Sequence, residues 1–308
     1  MKALSLIALA LAFVVVVMGA YVRLSDAGLG CPDWPFCYGK PMPAEIADGH
    51  ALAKAWKEMG HRYLAGALGL LILALCVVAW RSARSRTLTS GLVILVAFQA
   101  ALGMWTVTML LKPAIVTAHL LGGLATLALL VWLALRQWPH TPDVAVRALR
   151  ITAATALAAV VAQVALGGWV SANYAALACP DLPLCRGRWV PEMDFANAFH
   201  VVRELGQTAQ GELLSLEALT AIHWTHRVFA LVAATAVLLL AARAWQVLPP
   251  LAVLLAGIVT LQLGLGIANV ALGLPLALAA AHNAGAAVLI AALVVINFFS
   301  FRGLRPSR

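Results

Sequence analysis

Eight apolar, almost uncharged stretches constrain this chain more than any other feature, because each approaches the ~20 residues that a helix needs to cross the hydrocarbon core of a bilayer. They run from about Ala3 to Val22, Arg62 to Trp80, 88 to 110, Ala114 to Leu135, 149 to 171 and Leu219 to Ala242. The last charge-poor stretch is cut by Pro249-Pro250 and by Gly273-Leu274-Pro275 into a seventh and an eighth. Of the 308 residues 63% are hydrophobic and 11% charged, where a soluble domain carries about a quarter charged. An all-α integral membrane protein is therefore predicted. A polar turn through Pro139, Pro142 and Asp143 separates an N-terminal half, 1–140, from a C-terminal half, 141–308, with four helices in each.

Charge sets the orientation. On the eight-helix plan Lys2, Arg81, Arg84, Arg86, Arg136, Arg147, Arg150, Arg243, Arg302, Arg305 and Arg308 share one side with a single acid, Asp143, while the other ten basic residues lie opposite with eleven acids. Basic residues collect on the cytoplasmic side, so both termini are expected inside. The net charge of +9 is thus a topology signal, and nothing else in the chain points to a nucleic-acid partner. The first helix follows Lys2 and ends in Met18-Gly19-Ala20. It is expected to be retained, since its apolar core exceeds the 7 to 15 residues of a cleaved signal.

The two halves repeat each other. Gly19-Ala20-Tyr21-Val22 through Cys31-Pro32-Asp33-Trp34-Pro35-Phe36-Cys37 matches Gly167-Gly168-Trp169-Val170 through Cys179-Pro180-Asp181-Leu182-Pro183-Leu184-Cys185 at an offset of 148 residues. Gln99-x-x-Leu102-Gly103 and His119 recur 163 residues later as Gln262-x-x-Leu265-Gly266 and His282, and His61 recurs 165 later as His226. An even number of helices per half gives both halves one orientation. Two four-helix bundles related by an axis along the membrane normal are expected.

Cys31, Cys37, Cys179 and Cys185 fall in loops on the non-cytoplasmic side, where disulfides persist, and a pair within each loop is the simplest arrangement. Cross-loop pairing and free redox thiols are the alternatives. Cys76 lies inside the second helix and reads as a small buried hydrophobe.

Chemistry gathers where polar residues meet the apolar runs. Glu58-Met59-Gly60-His61-Arg62 brings a carboxylate, an imidazole and a guanidinium to the start of the second helix, and His223-Trp224-Thr225-His226-Arg227 repeats the pattern with a histidine in place of the glutamate. Residues 58 and 61 share a helix face. Of eight histidines, His50, His140 and His200 lie in polar loops and are expected to be solvated. His61, His119, His226 and His282 sit near the outer ends of even-numbered helices in matching positions, which suggests two pairs, each clamping a metal between two helices. Zinc and copper sites want a third or fourth protein ligand, and none occurs at matching positions, whereas haem needs only axial ligands. Gly66, Gly69, Gly122 and Gly123 are candidates to leave room for the macrocycle, and Arg62 and Arg227 to meet its propionates. Only the first half has a carboxylate on the ligand face, so Glu58 marks the reacting site, with helix-start residue as its bland alternative. His223 reads as a hydrogen-bonding neighbour and not a third ligand.

Together, the Glu-x-x-His-Arg motif at 58 to 62, His119, the His-Arg pair at 226 and 227, His282 and the paired-Cys loops resemble the heme A synthase family, from Val17 to about Ile296. The resemblance implies a bacterial inner-membrane enzyme that oxidises the C8 methyl group of haem O to the formyl group of haem A by two successive hydroxylations. It further implies that His226 and His282 ligate a haem b, that His61 and His119 face the substrate haem O, and that Glu58 is catalytic. A haem O synthase is the partner it suggests, and it leaves the oligomeric state open. A di-haem cytochrome b and a non-catalytic haem carrier are the rival readings.

Overall fold

No water in a bilayer core satisfies backbone N–H and C=O groups, so a spanning segment must bond its own backbone. The computed structural model, which describes residues 1–43 and 48–306 (the side chains of Pro142 and 304–306 excepted), meets that demand with helices. In chain order the elements are α1 (Lys2–Leu24), α2 (Gly49–Arg81), α3 (Arg86–Thr108), α4 (Pro113–Leu135), β1 (His140–Pro142), α5 (Val144–Arg147), α6 (Arg150–Ala172), α7 (Phe195–Ala198), α8 (Leu216–Ala244), α9 (Pro249–Ala271), α10 (Leu276–Arg302) and β2 (Leu304–Pro306). Setting aside the four-residue α5 and α7, the described residues hold eight helices long and apolar enough to cross a membrane. Arg308, counted above with the cytoplasmic charges, lies outside the described residues.

The starts follow local chemistry. Pro113 and Pro249 take first-turn positions, where a missing N–H costs nothing. Ser215 caps α8 by accepting from the Ala218 N–H at 3.1 Å. The second helix begins thirteen residues before the expected Arg62, at Gly49, capped by Asp48. His50, Lys54, Lys57, Glu58 and His61 interrupt the apolar pattern there without interrupting the helix. At 1.5 Å per residue its 33 residues reach about 50 Å, well beyond a hydrocarbon core of ~30 Å. Its first turns therefore stand above the core and carry the polar residues.

Within the first half α1 packs on α2 and α4, and α3 on α2 and α4; within the second, α6 and α9 each pack on both α8 and α10. The halves meet where α4 and α10 touch, flanked by α1 against α10 and α4 against α6. One continuous core runs through that seam, from Ala8 and Ala12 through Leu127 and Leu130 to Ala153, Ala156 and Leu293. Small side chains let these backbones approach, as membrane helices require in the absence of a hydrophobic drive between them. Asn297 adds polar glue by donating to the Ala153 carbonyl at 3.0 Å. The position of α10 is central: 61% of its spanning window is buried, against 17 to 33% for the other seven.

Two ties close the ends. On one side β1 pairs antiparallel with β2, and the Asp143 N–H donates to the Gly303 carbonyl at 2.7 Å. The mid-chain turn and the C-terminal segment therefore lie together, as four helices between them demand. On the other side the Arg23 guanidinium donates to the Ser171 carbonyl at 2.7 Å and stacks on Tyr174, joining the ends of α1 and α6. His140, expected in a solvated loop, instead packs on Phe298 and Phe299, and its Nε2 lies 2.8 Å from the Leu135 carbonyl. The strand pairing pulls it inward.

Candidate functional site

Each histidine that was expected to bind metal rests on a glycine of the preceding spanning helix. A Cβ built on Gly19 of α1 would stand 2.9 Å from Cε1 of His61, one on Gly103 of α3 3.3 Å from that of His119, one on Gly167 of α6 3.0 Å from that of His226, and one on Gly266 of α9 3.6 Å from that of His282. In each half two helices supply the rings and two supply the bare backbone that seats them. The glycines named from the sequence are not these seats. Gly66 is exposed with nothing over it, Gly69 faces Val96, Gly122 lies under the Gln99 amide and Gly123 faces Val16.

The His61 and His119 rings have centroids 6.4 Å apart and planes at 87°. Two metal–imidazole bonds of about 2.0 Å and two ring radii of about 1.2 Å span roughly that distance, so the pair is spaced for one metal between the rings. Among the described residues Nδ1 of His61, His119 and His282 is buried without a hydrogen-bond partner, which argues against ordinary core histidines held by a protein acceptor. In the second half Gln163 donates to the His226 carbonyl at 3.1 Å with its amide nitrogen equally near the ring, and Gln262 donates to the His282 carbonyl at 2.9 Å. Among the described residues no three His, Cys, Asp or Glu side chains converge. The protein thus offers a metal two imidazoles, and a porphyrin, which brings four nitrogens of its own, fits that donor set.

Above each pair a disulfide loop is clamped onto the helix that carries the first histidine. Cys31 is bonded to Cys37, and Cys179 to Cys185. Glu58, 4% exposed, accepts from the Cys31 N–H at 2.9 Å through Oε2 and forms an ion pair with Arg62 through Oε1. Arg62 Nη1 in turn donates to the carbonyls of Asp33 at 2.9 Å and Phe36 at 2.8 Å. The second half repeats the clamp: His223 Nδ1 lies 3.2 Å from the Cys179 N–H nitrogen, and Arg227 donates to Asp181 at 2.9 Å, Leu184 at 3.1 Å and the Cys179 carbonyl. Positions 58 and 223, matched in sequence, therefore do the same mechanical task. Both arginines divide their donors among loop carbonyls, so meeting a propionate, as expected of them, would draw on the same guanidinium.

Two aspartates that the sequence reading passed over fold these loops. Asp33 accepts from the N–H groups of Tyr38 at 2.6 Å and Gly39 at 2.8 Å, and Asp181 from those of Arg186 at 2.6 Å and Gly187 at 2.7 Å. Tyr38 and Gly39, like Arg186 and Gly187, have positive φ, which the carboxylate's two bonds hold in place. The Gly187 bond leads in holding the Asp181 carboxyl below its usual pKa. The signal was present in the repeated Cys-Pro-Asp and the glycine six residues after each aspartate.

The chain matches the COX15-CtaA family, described as cytochrome oxidase assembly protein, over residues 2–294. It is similar to the heme A synthase of Shewanella oneidensis, with 43% identity over 95% of this chain and 94% of that protein. The heme A synthase of Caulobacter vibrioides is 31% identical over 96% of this chain and 94% of its own length. That of Halalkalibacterium halodurans is 29% identical over 70% and 72%.

Proposed function

Because the chain belongs to the COX15-CtaA family of cytochrome oxidase assembly proteins, we propose that it is a membrane oxidoreductase that makes haem A from haem O, the activity after which its relatives are named. The change at the substrate is oxidation of the C8 methyl group to a formyl group by successive hydroxylations. One observation carries the division of labour. Both halves seat two histidines on glycines, yet only the first places a buried carboxylate, Glu58, where the second has His223.

On this reading His61 and His119 hold the iron of the substrate haem O in the half formed by 1–140. His226 and His282 hold a haem b in the half formed by 141–308, and that group supplies one-electron transfer when bound. Gln163, which has no polar counterpart at Val15 of the first half, steadies the His226 side and suits a resident group over a passing substrate. Cys31 and Arg62 supply a donor to each oxygen of the buried Glu58 carboxylate, and from there it orients water or accepts a proton. Arg62 and Arg227 bring positive charge to the end of each bundle, where propionates would be met. The disulfides support the loops and take no part in the oxidation.

The protein lies in a bacterial inner membrane with both termini cytoplasmic and both disulfide loops outside, its halves related by an axis along the membrane normal. The asymmetry of basic residues supports this placement, as does the pairing of β1 with β2. A di-haem electron-transfer protein and a haem carrier are not favoured by the relatives. The test is to supply haem O to membranes containing the protein, then extract and identify the haems. Haem A, with the alcohol between, is expected; haem b alongside unchanged haem O would reject the reading.

A further inference from the structure

We propose that His223 is a positioning residue that fastens the Cys179–Cys185 loop, as the neutral and weaker counterpart of the carboxylate that fastens the Cys31–Cys37 loop. Its ring is 4% exposed and meets a donor at each nitrogen: the Cys179 N–H at Nδ1, 3.2 Å away, and the Arg227 Nε–H at Nε2, 3.3 Å away. A neutral imidazole has one lone pair in its ring plane and one N–H. It accepts only one of these two bonds.

Burial decides which. His223 is the acceptor the structure provides for the Cys179 backbone N–H, and an orphaned buried amide is costly. Arg227 has the carbonyls of Asp181, Leu184 and Cys179 besides. The lone pair therefore sits on Nδ1, and Nε2 carries a proton that points at the guanidinium. Glu58 has no such conflict, because a carboxylate accepts from Cys31 and Arg62 at once and adds an ion pair. Both donors that meet position 58 are consequently accepted and only one of those that meet position 223, while in each half the arginine also donates to loop carbonyls.

The role concerns the loop and not the haem, so it is read out on the disulfide itself. Full-length protein in lipid nanodiscs is treated with a phosphine reductant, freed thiols are alkylated over time, and peptides are counted by mass spectrometry. In His223→Ala the Cys179–Cys185 bond should be reduced about tenfold faster, the size of one lost buried hydrogen bond, while Cys31–Cys37 keeps its parental rate. His223→Gln should restore protection, since its amide oxygen accepts from the Cys179 N–H. His223→Glu should protect beyond the parent, having both acceptors. Parental reduction of Cys179–Cys185 in the alanine variant, or equal acceleration of both disulfides, would overturn the proposal. Should the alanine variant fail to fold, the ordering of glutamate over glutamine decides alone, and equal rates for those two would overturn it.

Discussion

Gly167 on α6 and His226 on α8 approach so closely that a single methyl group on the glycine would stand 3.0 Å from Cε1 of the ring. Gly19 on α1 and His61 on α2 repeat the relationship at 2.9 Å. Contacts that short force the imidazole to move by some tenths of an ångström, and packed interiors pass such shifts to whatever the ring holds.

Gly167→Ala should therefore alter the reduced-minus-oxidised spectrum of bound haem b or empty the site. Gly19→Ala should leave that spectrum intact and cut haem A yield by about tenfold or more, since misplacement by 1 Å costs ~100-fold. An unchanged spectrum and unchanged yield in both variants would show that the glycines merely pack.

Ligand replacement separates the halves more bluntly. His226→Ala or His282→Ala should remove the tightly bound haem b, measured per protein in purified samples. His61→Ala or His119→Ala should spare most of it and abolish product. Equal loss of haem b from all four variants would refute the assignment of cofactor and substrate to different halves.

Glu58→Gln keeps an acceptor for the Cys31 N–H but removes the ion pair with Arg62 and the proton-accepting charge. Haem b content should persist while haem A formation falls by ~10²- to 10⁴-fold, the usual contribution of a general base. Haem O and its alcohol should accumulate in the extract. Haem A made at the parental rate would reduce Glu58 to a loop fastener.

Reporter fusions test the orientation. Joined after Arg86 or after Arg147, a reporter should be active in the cytoplasm; joined near Lys40 or Glu192, it should be exported. An exported fusion at Arg86 contradicts the eight-helix plan.

The helices were legible because apolar runs of bilayer length leave little choice, and prolines at 113, 249 and 275 marked three of the starts. The early start of α2 was hidden because a hydrophobic criterion stops at Lys57 and Glu58, although both are good helix formers. The four histidines that sit on glycines were legible by register between repeats. Their glycine seats were not, since nothing in a single sequence says which glycine of one helix faces a ring on another. Arg62 was the hardest to read: besides Glu58 its partners are backbone carbonyls of residues 26 to 29 positions earlier, and carbonyls leave no mark in the sequence. His223 and Glu58 looked unlike until both were seen to answer the same buried N–H.

The centrality of α10 has a bearing on how the molecule comes into being. In chain order this helix follows the other seven described spans, yet it touches α1, α4, α6 and α9 and carries the seam between the halves. Until α10 is made, the seven spans before it lack the helix against which α1, α4, α6 and α9 all pack. A chain stopped before Leu276 lacks both His282 and the helix that packs against both halves.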